Sequence, residues 1–145
     1  GTDPTIKDSI SAADFVGLVY ENGGGGFFDA VGFHAYGEGP LEGWLANELA
    51  ELRSVMHANG DDAKPIWITE MGCYTHGAGS VSEAWQAEYV KQAREFLAGV
   101  PYVERFYWYT LRDGNSSSDP EMNYGLFRAD GTPKPAVQAF AAQVH

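Results

Sequence analysis

The chain has 145 residues, 44% of them hydrophobic and 14% aromatic, which suits one globular domain with a real core, expected over 1–145. Nine Lys and Arg against twenty Asp and Glu give a formal net charge of −11; that field repels phosphate backbones and argues against a nucleic-acid partner, while a neutral substrate such as a sugar is compatible. No run of about 18 apolar residues occurs, so no membrane partner is expected, and the single cysteine, Cys73, excludes an internal disulfide and any multi-cysteine metal site.

The chain opens Gly-Thr-Asp-Pro, without Met, and is expected to be a processed, tagged or excised piece. Ser11-Ala-Ala-Asp14 resembles a capping box and predicts a helix over about 12–22. Asn22 and Gly23–Gly26 end it. This glycine run has no following Lys and no helix start, so it reads as a loop and not as a phosphate cradle. Phe27 to Tyr36 predicts a strand. Pro40 suits the first position of a helix running to about Asn59, with Leu41, Trp44, Leu45, Leu49, Leu52, Val55 and Met56 at helical spacing and Gly60 as the stop.

Residues 65–70 predict the second strand. Ile66 and Ile68 are β-branched, Trp67 is aromatic, and Pro65 bars helix before them. The run delivers one carboxylate, Glu70, into a Met-Gly break. Trp67 is expected to face the helices as packing. Ser80-Val-Ser-Glu83 predicts a second capping box, with a helix to about Ala98 whose apolar face is Trp85, Tyr89, Ala93, Phe96 and Leu97. Val103 to Leu111 predicts a third strand. Residues 112–123 form a polar loop too long for a plain connection, hence a site loop or a mobile one. Asp130-Gly131 predicts a tight turn, and Pro135 a last helix to about Val144. Strict alternation of helix and strand means βα units and a parallel sheet.

In a parallel α/β protein, chemistry sits where strands end and loops begin. A carboxylate placed as Glu70 is can act as nucleophile, base or metal ligand, or simply cap a strand end. Three segments fall in order: Phe28-Asp-Ala-Val-Gly-Phe-His-Ala-Tyr36, Lys64-Pro-Ile-Trp-Ile-Thr-Glu-Met-Gly72, and Phe106-Tyr-Trp-Tyr-Thr-Leu-Arg-Asp113 with Tyr124-Gly-Leu-Phe-Arg-Ala-Asp-Gly-Thr-Pro-Lys-Pro135 behind it. Together they resemble the C-terminal part of a clan A glycoside hydrolase, the (β/α)8-barrel group that includes cellulases and β-xylosidases. The resemblance runs from about Phe15 to Phe140 and makes the three strands barrel strands six, seven and eight.

That resemblance implies an α/β fold, a partial TIM (β/α)8 barrel of three parallel strands with four helices. It implies hydrolysis of O-glycosidic bonds with retention, by two carboxylates about 5–5.5 Å apart. Glu70 matches the clan's nucleophile. The clan's acid/base, a Glu after Asn near the end of strand four, has no counterpart: Asn47-Glu48 falls inside a predicted helix and Glu21-Asn22 has the reverse order. By the same resemblance His34 and Tyr36, two apart at a strand end, contact sugar and nucleophile, with a backbone-satisfied buried pair as the alternative. Trp108 matches the aromatic under the cleaved sugar, with barrel core as the alternative. His76, on the loop behind Glu70, and Asp113 are assigned to substrate, with an Arg112–Asp113 surface pair as the alternative for Asp113. His34, Glu70 and His76 lack any metal-binding spacing, so no metal and no cofactor is expected. A carbohydrate-binding remnant without catalysis and an inactive structural fragment are the other function classes. The flanks of the first and third strands lack partners, so self-association is expected. Its simplest form is a twofold six-stranded parallel ring, in which Glu70 and its symmetry mate sit three strands apart, with side-by-side sheets or helix-mediated contacts as the alternatives.

Overall fold

The computed structural model describes residues 10–37, 39–116 and 118–142. The elements are α1 (Ala12–Glu21), β1 (Val31–Ala35), α2 (Trp44–Ala58), β2 (Ile66–Met71), α3 (Glu83–Ala98), β3 (Val103–Trp108) and α4 (Pro135–Ala141), with short 3-10 turns at Gly24–Phe27 and Pro120–Met122. The strands form one parallel sheet in the order β1-β2-β3. Each connection carries a helix, as a parallel crossover requires.

Two compact units arise from these elements: Gly1–Thr69 with Pro101–Phe106, and Glu70–Val100 with Tyr107–His145. In the first unit, Leu45, Leu49, Leu52 and Met56 of α2 are fully buried, as are Ile66 and Ile68 of β2. Their spacing on α2 is the one read from the sequence. In the second, Val90, Leu126, Ala136 and Ala139 form the core, where α3 packs on α4.

Local signals place most boundaries. Ser11 caps α1, its hydroxyl accepting from the Asp14 N–H at 3.0 Å. Gly60, at φ +77°, stops α2 in a conformation that glycine adopts without strain. Gly131, at φ +85°, makes the turn after Asp130, with the Arg128 N–H donating to the Thr132 carbonyl at 2.9 Å. Pro135 opens α4; the predicted end of that helix lies outside the described residues.

Several expectations need correction. β1 is shorter than 27–36, because Gly24–Phe27 winds into a 3-10 turn. α2 starts at Trp44; Pro40 precedes it by one turn and accepts from the Gly43 N–H at 3.0 Å. β3 stops at Trp108 and not at Leu111. Beyond it the backbone leaves the sheet and pairs with 124–127: Leu126 N–H donates to Thr110 at 3.0 Å, Phe127 N–H to Leu111 at 2.9 Å, and Asp113 N–H to Phe127 at 2.9 Å. The Tyr109–Thr110 peptide bond is cis. Trp67 does not pack with the helix-covered residues. Ile66 and Ile68 take that face and are fully buried, so alternation turns Trp67 to the other side. There its Nε1 donates to Glu104 Oε2 at 2.7 Å, and the Arg105 guanidinium lies 4.9 Å from the ring centroid.

The cap of α3 is Ser82, not Ser80: the Ser82 hydroxyl accepts from the Trp85 N–H at 3.1 Å. Ser82→Ala is therefore expected to cost about 1 kcal/mol, and Ser80→Ala less than about 0.5 kcal/mol. Urea unfolding of the two variants separates them; equal losses overturn the assignment.

Candidate functional site

In the second unit, Glu70 is the first residue and stands near the C-terminal end of β2. The burial alternation of that strand breaks there: Thr69 and Glu70 are both half-exposed, and Met71 is fully buried. The segment behind Glu70 is anchored residue by residue. The Met71 carbonyl accepts from the Tyr109 N–H at 2.9 Å. Gly72 lies so close to the next segment that a Cβ on it would be 2.3 Å from the Tyr109 carbonyl oxygen and 3.0 Å from the Tyr124 ring. The Cys73 carbonyl accepts from Nε2 of fully buried Gln86 at 3.0 Å. The Thr75 N–H donates to the Asn123 carbonyl at 3.0 Å.

A buried charge knot closes this run. Lys134 is 1% exposed, and its Nζ donates to Thr75 Oγ1 at 2.8 Å and to Asp113 Oδ1 and Oδ2 at 2.9 and 2.7 Å. Asp113 Oδ1 also accepts from the Gly125 N–H at 2.7 Å. Three chain segments far apart in sequence thus meet on one ammonium. Asp113, expected at the substrate or beside Arg112, is 7% exposed and commits its carboxylate to Lys134 and Gly125. The long loop is folded on itself: the Asn123 side-chain amide donates to the Ser116 and Asp119 carbonyls at 2.8 and 2.6 Å. Burial pushes the Cys73 thiol up to about 12, against the opposing charge of Lys134, so it stays protonated at neutral pH and is no rival nucleophile. Burial first, and Glu121 second, raise Tyr124 to about 12.

His76 lines an open cleft of about 390 Å³ together with Asp113, Asn115, Asn123, Arg128 and Asp130. Arg128 is held there by Glu83, with bonds of 2.8 and 2.5 Å. Trp108 is half-buried against the Val90–Ala136 core, its Nε1 donating to the Tyr124 carbonyl at 3.1 Å and Tyr89 meeting it edge-on at 6.3 Å.

In the first unit, Val31, Phe33 and Ala35 are buried, while Gly32 and His34 face the other way. His34 and Tyr36 come together in a cleft of about 430 Å³, with Phe15 and Ile10 on its wall. Among the described residues, no three His, Cys, Asp or Glu side chains gather as a metal would need. Lys134 and Thr75 escaped sequence reasoning. The available signal was a cation fenced by two prolines, Pro133-Lys134-Pro135, directly before a helix.

Solved structures resemble this arrangement. A family 39 glycoside hydrolase from the gut symbiont Bacteroides cellulosilyticus WH2 is 24% identical, with a TM-score of 0.68, over 88% of this chain and 29% of that one. A GH2 β-galacturonidase from Eisenbergiella tayi, bound to glycerol, is 19% identical at a TM-score of 0.63, over 81% of this chain and 22% of that one. A GH5_18 structure from Bifidobacterium longum subsp. infantis is 21% identical at 0.60, over 79% and 29%. The chain spans less than a third of these relatives. No curated protein matches it. The likeness carries the fold: a partial TIM barrel of three parallel strands and four helices. The family model described as glycosyl hydrolase catalytic core matches residues 13–140, and the chain belongs to that family.

Proposed function

We propose that this chain is the C-terminal catalytic part of a retaining glycoside hydrolase, with Glu70 as nucleophile. The observation that carries the reading is the position of Glu70 near the end of β2, backed by a segment anchored at Met71, Cys73 and Thr75, in a chain of the glycosyl hydrolase catalytic core family. The Glu70 carboxylate attacks the anomeric carbon while a second carboxyl group protonates the leaving oxygen. Water then hydrolyses the glycosyl ester, and retention follows from two displacements. The clan's Asn-Glu acid/base has no counterpart in this chain, Asn47-Glu48 being held within α2. In the unit that holds Glu70, His76 and Trp108 contact the sugar; His34 and Tyr36 line a cleft of the first unit and are assigned to sugar there. Asp113 serves them by fixing the loop, its carboxylate being already engaged. Turnover of chromogenic aryl glycosides by the wild type and by Glu70→Gln tests the reading.

The same lack of an Asn-Glu strand end favours a second reading, sugar binding without turnover. Calorimetry with oligosaccharides on a chain that shows no turnover distinguishes it.

Among the described residues the sheet order leaves β1 and β3 at the edges, each with one side of its backbone outside the ladder. The chain alone is accordingly expected to self-associate. The simplest form pairs β3 of one copy with β1 of another in a six-stranded ring, placing two Glu70 carboxylates three strands apart. Sedimentation velocity at micromolar concentration should show species above the 15.8 kDa monomer. A monodisperse monomer whose unfolding is independent of concentration sinks this expectation.

A further inference from the structure

Lys134 stands in Thr132-Pro133-Lys134-Pro135. The prolines fix the backbone on both sides, and Lys134 is extended, at φ −82° and ψ 162°. Its three N–H groups find three acceptors, two on Asp113 and one on Thr75. Charge balance is met by Asp113 alone, and fold stability does not require an ion pair where apolar side chains of similar volume would fill the space. The bond to Thr75 is the part left to explain.

A threonine hydroxyl has one hydrogen and two lone pairs. Lys134 takes one lone pair of Thr75. The hydrogen then has two acceptors in reach, His76 Nδ1 at 3.3 Å and the Asn123 carbonyl at 3.4 Å. Donation from a buried ammonium polarises the O–H bond and makes it a better donor. His76 lines the 390 Å³ cleft.

We propose that Lys134, acting through Thr75, positions His76: the Thr75 hydroxyl donates to Nδ1 and holds the ring as the Nε2–H tautomer, which offers a donor to a sugar hydroxyl oxygen in the cleft. The ligand class rests on the glycosidase reading; the tautomer does not. His76 has this role only as a neutral ring, because a protonated ring donates from Nδ1 and turns the Thr75 hydroxyl to Asn123.

The test is Thr75→Val, which keeps the shape and the Lys134–Asp113 pair but removes the hydroxyl. Thr75→Ser is the conservative rescue. Long-range ¹H–¹⁵N spectra of His76 at mildly alkaline pH report the tautomer. The wild type and Thr75→Ser should show His76 almost entirely as Nε2–H. Thr75→Val and the double variant Lys134→Met with Asp113→Leu should relax toward the mixture of a free histidine. An unchanged tautomer ratio in Thr75→Val overturns the proposal, as does an Nδ1–H ring in the wild type. In aryl-glycoside turnover, Thr75→Val should raise KM and leave kcat within about threefold, the signature of a lost binding contact. Equal KM overturns the role toward sugar. Failure of the wild type to turn over glycosides favours the reading of sugar binding without catalysis instead, and the tautomer result still decides the role of Lys134.

Discussion

Glu70→Gln is expected to lower kcat on aryl glycosides by roughly 10⁴-fold or more, with KM little changed. Glutamine keeps the size of the side chain and most of its contacts but lacks the charge and the nucleophilic oxygen. Removing a nucleophile abolishes the intermediate itself, whereas removing a binding contact only weakens a complex. Two companion results follow from the retention proposed above. A 2-deoxy-2-fluoro glycoside with a good leaving group should leave a covalent adduct, and peptide mass mapping should place it within 66–72. Azide should rescue Glu70→Ala and give a glycosyl azide of inverted configuration. Turnover of Glu70→Gln within tenfold of wild type, or an adduct on another peptide, removes Glu70 from the role.

Lys134→Met is expected to lower unfolding free energy by about 3–5 kcal/mol, the cost of leaving a buried carboxylate without its cation. Lys134 and Asp113 are 1% and 7% exposed, so solvent cannot take the place of the missing partner. The double variant Lys134→Met with Asp113→Leu should recover most of that loss, since no unpaired charge remains. It should not recover all of it: the Gly125 N–H, which Asp113 now accepts at 2.7 Å, is left buried and unbonded, at about 1–3 kcal/mol. Urea midpoints at constant slope measure these differences. A Lys134→Met protein as stable as wild type contradicts the ion pair.

What could be read from the chain beforehand depended on distance along it. The Ser11 cap, the stop at Gly60, the turn at Gly131 and the buried stripe of α2 are set by residues within a turn or two, and local patterns carry them. The two serines before α3 show where local reading becomes degenerate: Ser80 and Ser82 both precede acidic and aromatic residues, and only the hydrogen bond to Trp85 decides. The early end of β3 was not legible, because its continuation pairs with 124–127, across a loop. The charge knot was still less so. Thr75 and Lys134 are 59 positions apart, and nothing near either one announces the other. Glu70 itself stood out because strand and break are adjacent in sequence. Asp113 shows the converse: its type and place suggested a substrate contact, while the backbone of Gly125 and the ammonium of Lys134 claim its oxygens.

The close approach of Gly72 to the Tyr109 carbonyl bears on how mutational surveys of this chain should be interpreted. Position 72 has no room for even a methyl group, since the obstacle is backbone and cannot swing aside. Every substitution there must shift the Met71 bond to Tyr109, and with it the strand end that holds Glu70. A saturation library scored by activity would rank Gly72 beside Glu70, although glycine has no group that could react. Scoring the same library by folded yield as well as by activity separates the two positions: Glu70 variants fold and fail to react, and Gly72 variants lose both together.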